Sequence, residues 1–89
     1  MIYDLVLELL SNDSVSEPKL RLTLSVIKAR RDAGLTQAEL AQRAGLSRAT
    51  IGAIEQGRAN PTFSTLMRIA EALDAELIVE LRRENGRSE

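Results

Sequence analysis

Residues 34–63 of the chain read GLTQAELAQRAGLSRATIGAIEQGRANPTF. Thr36 and Glu39 have the spacing of a capping box, in which a hydroxyl and a carboxylate each satisfy an unpaired N–H at the start of a helix. Ser47 is a second residue suited to a helix N-terminus. Between them, Gly45 can adopt the left-handed conformation that ends a helix. The stretch therefore predicts two short helices joined by a tight turn.

Apolar residues recur in both predicted helices at spacings of three and four, which places them on one face. They are Leu40, Ala41 and Ala44 in the first, and Ile51 and Ile54 in the second, whose exit is Gly57. A helix over about 17–33 precedes them and ends at Gly34. Another follows the turn at Asn60-Pro61-Thr62 and runs to about Leu73. The residues that we expect this last helix to bury are Phe63, Leu66, Ile69, Ala70 and Leu73. The prediction is an all-α bundle.

The predicted helix over 17–33 carries two apolar stripes rather than one. The stripe suited to the core consists of Leu22, Val26, Ala29 and Ala33. The other consists of Leu20, Leu24 and Ile27, and it needs cover from the N-terminal segment, a second subunit or another protein. The first ten residues are themselves amphipathic and helical in period, with apolar positions at Ile2, Leu5, Val6 and Leu9.

Beyond the last predicted helix, the period changes to strict alternation over residues 75–82. Leu77, Val79 and Leu81 then share one face of a predicted β-strand. A lone strand leaves its backbone N–H and C=O groups unpaired. The simplest partner is the same strand of a second copy across a two-fold axis, which predicts a homodimer. The alternatives are an extension of the last helix or a disordered tail.

Composition limits the function classes that remain open. The net charge is −1, yet residues 28–60 hold six basic and three acidic side chains, while acidic side chains prevail on either side. A basic centre suits a site-specific DNA-binding protein. The chain has no cysteine, no histidine and no phosphate-cradling glycine loop, so we expect neither an enzyme nor a metal or cofactor site. Without a signal-peptide pattern or a membrane-length apolar run, we expect a cytoplasmic protein.

The motif elements are Gly34-Leu35-Thr36-Gln37, Leu40-Ala41, Gly45-Leu46-Ser47, Ile51, Ile54-Glu55, Gly57, Pro61, and the spaced set Leu66, Ile69, Ala70 and Leu73. With them, residues 26–73 resemble the Xre/Cro family of helix-turn-helix repressors, which have the lambda-repressor-like fold. The resemblance implies double-stranded DNA as a partner. It divides the chain into an N-terminal amphipathic segment and linker (1–16), a helix-turn-helix DNA-binding domain (17–74), a dimerisation strand (75–82) and a charged tail (83–89).

The resemblance also implies which side chains face DNA. The recognition helix enters the major groove, and its early outward residues here are Ser47, Arg48, Ala49, Thr50 and Ala53. Arg48 is the strongest candidate for a base contact because a guanidinium can bind guanine O6 and N7 together; the alternative is a phosphate contact. The residues expected to clamp the phosphate backbone are Gln37, Arg43, Gln56, Arg58 and Asn60. Gly52 and Ala53 are shorter than is common in the family, so DNA shape could supply part of the specificity.

Two further positions have a structural meaning in the family. In several members the residues at the positions of Arg30 and Glu55 form a buried ion pair between the first helix and the end of the recognition helix. The resemblance implies the same pair here, holding the recognition helix in place.

These features favour a repressor, and most of all an antitoxin resembling the HigA and HipB types, which bind a toxin and repress their own operon as dimers on a palindromic operator. The expected toxin contact comprises Ile2, Leu5, Val6, Leu9, Leu20, Leu24 and Ile27; alternatively these residues complete the dimer or the core. A prophage-type repressor or a restriction–modification controller would use the same DNA face without a toxin. A bridging module that has lost DNA binding is a third possibility, disfavoured by the presence of Gln37, Arg48 and Arg58.

Overall fold

A computed structural model describes residues 17–83. Its helices are α1 (Glu17–Asp32), α2 (Gln37–Ala44), α3 (Arg48–Glu55) and α4 (Phe63–Ala72). The all-helical bundle predicted from the sequence is confirmed for this part of the chain. None of these helices combines the length and the apolar character that crossing a bilayer requires.

Local contacts fix the start of α2 and the turn between α2 and α3. The Thr36 hydroxyl accepts from the Glu39 N–H at 3.0 Å, and the Glu39 carboxylate accepts from the Thr36 N–H at 2.8 Å. Gly45 ends α2 with a φ of 71°, and the Ser47 hydroxyl caps α3 by accepting from the Thr50 N–H at 3.0 Å. These bonds satisfy N–H groups that a helix start leaves unpaired, so the predicted capping box and both caps are confirmed.

The core lies where α2 packs against both α3 and α4, with α1 packed against α3. Leu40 and Ile51 are fully buried, and Ile54 and Ile69 are nearly so. Burial of each such side chain contributes about 1.5–3 kcal/mol. The inward positions predicted for α2 and α3 are therefore confirmed.

The buried face of α1 differs from the prediction. Its buried residues are Thr23, Val26 and Ile27, a single face that takes Val26 from one predicted stripe and Ile27 from the other. Ala33, assigned to the core from its spacing, is exposed. Leu22 and Val26 pack in the core as predicted. The prediction was wrong for Ala33 and for Ile27, because periodicity gives the apolar positions of a helix but not the direction from which its neighbour approaches.

Phe63 is a second departure from the predicted core. Its side chain is 61% exposed, although the spacing along α4 placed it inward. The buried residues of α4 are Ile69 and Ala70, in its second half, whereas Phe63 is the first residue after the N-cap Thr62. The packed part of α4 therefore begins beyond Phe63.

The chain leaves the helical conformation directly after α4. Asp74 has a φ of 51°, and the Ala75 N–H donates to the Ala70 carbonyl at 2.8 Å, a bond that closes a helix end. An extension of the last helix is therefore excluded. The residues from 75 to 83 have no regular secondary structure, so a strand over 75–82 is not seen in the single chain and stays a prediction that needs a partner.

The capping box predicts a pH-dependent part of the stability. Hydrogen bonds from Thr36 hold the pKa of Glu39 below its ordinary value of 4.5. Because the folded pKa is the lower one, this stabilisation is present above pH 4.5 and is lost as the pH falls through the folded pKa. We expect Glu39→Gln to lower Tm at neutral pH and the difference from wild type to shrink in acid. Thermal melts monitored by circular dichroism between about pH 7 and pH 3 measure this; a difference independent of pH would contradict it.

Candidate nucleic-acid interface

α3 has one buried and one exposed face. Ile51 and Ile54 point into the core, while Arg48 and Ala49 are exposed in the first turn. The Thr50 hydroxyl lies 2.8 Å from the Ser47 hydroxyl that caps the helix, so both hydroxyls already have a partner. Arg48 makes no hydrogen bond or ion pair within residues 17–83, and its guanidinium is the long polar group at this edge that is available to a ligand. Ala53, one turn further on, is half-buried.

The loop after α3 brings more polar side chains to the end of the recognition helix. Gly57 is buried with a φ of 72°, which lets the chain turn back, and the Arg58 N–H donates to the Ala53 carbonyl at 2.9 Å. The Arg58 Nε then donates to the Gln56 Oε1 at 2.7 Å. Both of these side chains and that of Asn60 are exposed. The loop therefore presents a cation and two amides beside α3.

Gln37 lies at the start of α2, with its side chain half-buried. Its Nε2 donates to the Glu55 Oε1 at 2.9 Å, a contact between the two helices of the motif. The amide has two N–H groups, and the second makes no hydrogen bond within the described part of the chain. Gln37 is therefore oriented by the protein while it keeps one donor for a ligand.

Arg30 and Glu55 form an ion pair between α1 and the end of α3. The Arg30 Nε donates to Oε2 at 2.7 Å and the Nη2 to Oε1 at 3.1 Å, while its Nη1 donates to the Leu35 carbonyl at 2.7 Å. The glutamate side chain is 1% exposed and the arginine side chain 14%. A buried charge is tolerated because it is paired and hydrogen-bonded, so this pair ties α3 to α1.

Sequence reasoning missed Thr23. Its hydroxyl is buried and donates to the Ile54 carbonyl at 2.9 Å, a second connection between α1 and the end of α3. A polar residue three and four positions before the buried Val26 and Ile27 was a signal, since a buried hydroxyl needs a hydrogen-bond partner. The same carbonyl also accepts from the Gly57 N–H at 3.1 Å, so Thr23 adds a second donor where α3 ends.

Arg43 lies apart from these groups. It is an exposed residue at the C-terminal end of α2, the opposite end from Gln37. It lines a shallow polar cleft with Arg68 and Glu71 of α4. The structure therefore does not bring it together with the cluster around Glu55.

The expected toxin contact is changed at one position. Ile27 is 2% exposed, so its side chain is not open to a partner and belongs to the core, which is the alternative given for this residue. Leu20 and Leu24 are half-buried. The remaining residues of that group, Ile2, Leu5, Val6 and Leu9, lie outside the described residues.

In the predicted dimer strand, Leu77 is half-buried, whereas Val79 and Leu81 are exposed.

Two short helices joined by a tight turn, the second packed by one face and exposing Arg48 on the other, define a helix-turn-helix protein. The HTH_3 helix-turn-helix family matches residues 26–79. The chain belongs to this family and is a helix-turn-helix transcriptional regulator. The Xre-type resemblance noted in the sequence is thereby confirmed.

Three known proteins illustrate what the chain is similar to. It is 48% identical over 52 residues to an uncharacterized HTH-type transcriptional regulator of Methanothermobacter thermautotrophicus. The matched stretch covers 58% of this chain and 75% of that protein. It is 39% identical over 62 residues to the antitoxin HigA1 of Mycobacterium tuberculosis, covering 70% of this chain but only 42% of HigA1. The crystal structure of the restriction-modification controller protein C.AhdI from Aeromonas hydrophila superposes with a TM-score of 0.66 at 30% identity, over 68% of this chain and 92% of the controller.

A glycine within α3 gives a stability prediction. A Cβ built on Gly52 meets no described atom closer than the Gln37 Oε1 at 4.0 Å, and glycine inside a helix costs about 0.5–1 kcal/mol relative to alanine. We therefore expect Gly52→Ala to raise Tm by a few degrees. Gly45→Ala is the matched control: its φ of 71° makes the same methyl group destabilising by about 1–2 kcal/mol. Thermal melts measure both, and a lower Tm for Gly52→Ala would contradict the prediction.

Proposed function

We propose that the chain is a sequence-specific repressor that binds double-stranded DNA as a homodimer in the cytoplasm. The observation that carries the proposal is the exposed edge of α3, where Arg48 has no partner within residues 17–83 while the opposite face of the helix is buried. A helix held in this way can enter a major groove without rearrangement. Membership of the helix-turn-helix family supports the same assignment.

The proposed contacts divide into those that specify and those that position. Base edges are contacted from α3 by Ser47, Arg48, Ala49, Thr50 and Ala53, with Arg48 bound to guanine through both O6 and N7. Phosphates are contacted by Gln37 and Arg43 from α2, and by Gln56, Arg58 and Asn60 from the loop after α3. The contacts of Gln37 with Glu55 and of Arg58 with Gln56 place both side chains near the end of α3, which supports their role in contacting the backbone.

The dimer is proposed to form through residues 75–82, as a strand paired with its copy. Support comes from the alternation of apolar residues and from the exposure of Val79 and Leu81, at 67% and 100%. Pairing would satisfy the backbone groups of this segment and cover these side chains. A two-fold dimer requires a palindromic operator, with half-sites about one helical turn apart.

Binding to the promoter fragment upstream of the gene tests the proposal. We expect retardation of this fragment but not of a scrambled one of equal length. If a dimer neutralises about six to eight phosphates, log K should fall with log salt with a slope of about −5 to −7. Fluorescence anisotropy across a salt series measures the slope. No retardation at low salt would contradict DNA binding and favour a bridging module.

The particular repressor that we propose is the antitoxin of a toxin–antitoxin operon. The 39% identity to HigA1 supports this assignment, and so does the apolar surface that the half-buried Leu20 and Leu24 give to α1. Co-expression with the neighbouring gene tests it: an antitoxin should co-purify with a small basic protein encoded there.

The second candidate is a restriction–modification controller, which the superposition on C.AhdI favours. It shares the DNA face and the dimer but needs no toxin. Promoter binding without capture of the neighbouring gene product would favour this candidate, or a prophage-type repressor, over the antitoxin.

A further inference from the structure

The Glu55 carboxylate accepts hydrogen bonds from two side chains on different helices, Arg30 of α1 and Gln37 of α2. Its Oε1 accepts from the Arg30 Nη2 at 3.1 Å and from the Gln37 Nε2 at 2.9 Å, and its Oε2 accepts from the Arg30 Nε at 2.7 Å. The carboxylate is 1% exposed, so water cannot compete for it. Arg30, Glu55 and Gln37 therefore form one continuous network, the Glu55 network, that runs from α1 through the end of α3 to the start of α2.

This network fixes the direction of the Gln37 carboxamide. The amide group is planar, so a hydrogen bond through one N–H also determines where the second N–H points. On its other side, the Gln37 Oε1 lies 4.0 Å from the position of a Cβ on Gly52, which places the carboxamide along α3. A glutamine side chain held by this bond has less rotamer freedom to lose when a ligand arrives, and such preorganisation increases affinity.

We propose that Glu55 is a positioning residue for DNA binding, which holds the Gln37 carboxamide in the orientation that contacts the DNA backbone. The inference deepens the proposed function and rests on it, since the ligand of Gln37 is the operator. Glu55 itself does not touch DNA. Arg30 neutralises the carboxylate, so that a buried negative charge near the phosphates does not oppose binding.

A double-mutant cycle on the full chain tests this inference. Anisotropy measures the affinity for the promoter fragment of three variants: Gln37→Ala, Glu55→Gln and the double variant. The measurement is made at a temperature where circular dichroism shows each variant to be folded. We expect each single variant to bind about tenfold more weakly, which corresponds to a loss of about threefold for the hydrogen bond in each half of the dimer. If Glu55 acts through Gln37, the double variant should be no weaker than the singles, whereas independent roles would give about a hundredfold loss.

Thr23→Val is the matched control for stability. Thr23 donates to the carbonyl of Ile54, next to Glu55 in the chain, but it does not contact Gln37. The variant should lower Tm and leave the affinity within about twofold of wild type. If it weakens binding as much as Glu55→Gln does, the role of Glu55 is only structural and the inference is overturned.

The amide protons of Gln37 supply a readout that does not depend on a variant folding. In the NMR spectrum of the wild-type protein we expect one of the two side-chain Nε2 protons to be shifted and protected from exchange, as a hydrogen bond to Glu55 requires. Two protons at the ordinary shifts of a free carboxamide, both exchanging rapidly with water, would overturn the inference. Wild-type protein that does not bind the promoter would overturn the proposed function as well, whereas wild-type binding that Gln37→Ala leaves unchanged would overturn this inference alone.

Discussion

Glu55→Ala is expected to lower the free energy of unfolding by about 3 kcal/mol or more, because it leaves the Arg30 guanidinium buried without its counter-charge. For a domain of this size each kcal/mol corresponds to roughly 4–8 °C, so Tm should fall by at least about 12 °C. The variant also removes the acceptor of the Gln37 amide, which lowers the free energy of unfolding further. Urea melts measure this free energy and thermal melts measure Tm.

Two controls separate burial from charge. The Lys28–Asp32 pair of α1 has the same 2.7 Å distance as the closest contact of Arg30 with Glu55, but its side chains are 76% and 65% exposed. Because water screens an exposed pair, Asp32→Ala should leave Tm nearly unchanged. Replacing both partners, as Arg30→Met with Glu55→Met, should restore most of the stability lost in Glu55→Ala, since no unpaired charge remains. Equal effects of Glu55→Ala and Asp32→Ala would contradict the argument from burial.

Arg48→Ala is expected to have the largest effect on operator binding. A bidentate contact with guanine is worth about 1–3 kcal/mol, and a dimer loses two of them. Since 1.4 kcal/mol is a factor of ten, affinity for the operator should fall about 30-fold or more. Binding to a scrambled fragment, which rests on phosphates, should change far less. Anisotropy with both fragments measures the two affinities.

Arg48→Lys distinguishes a base contact from a phosphate contact. Lysine keeps the charge but loses the planar pair of donors, so operator affinity should fall while the salt slope stays the same. Arg21→Ala removes an equivalent charge from the first turns of α1, where Arg21 is exposed and pairs with Glu17, and it should leave operator binding unchanged. Full operator affinity in Arg48→Lys would assign Arg48 to a phosphate instead.

The sequence by itself determined the helix-turn-helix. The capping box of Thr36 and Glu39, the cap of Ser47 and the exit at Gly45 each depend on bonds between residues three or four positions apart, or on the conformation of a single glycine. Such local signals are fully present in the chain before it folds. The apolar spacing of α2 and α3 likewise predicted their buried faces, and the family motif predicted which residues of α3 face outward.

Only the tertiary structure decided which groups meet across the bundle. The Thr23 hydroxyl reaches a carbonyl 31 positions away, and the Gln37 amide reaches a carboxylate 18 positions away. The same packing determines which face of α1 is buried and leaves Phe63 exposed. These outcomes depend on the angle and distance at which helices approach one another, and that geometry is set by the whole core at once. A pattern confined to one helix carries no information about it.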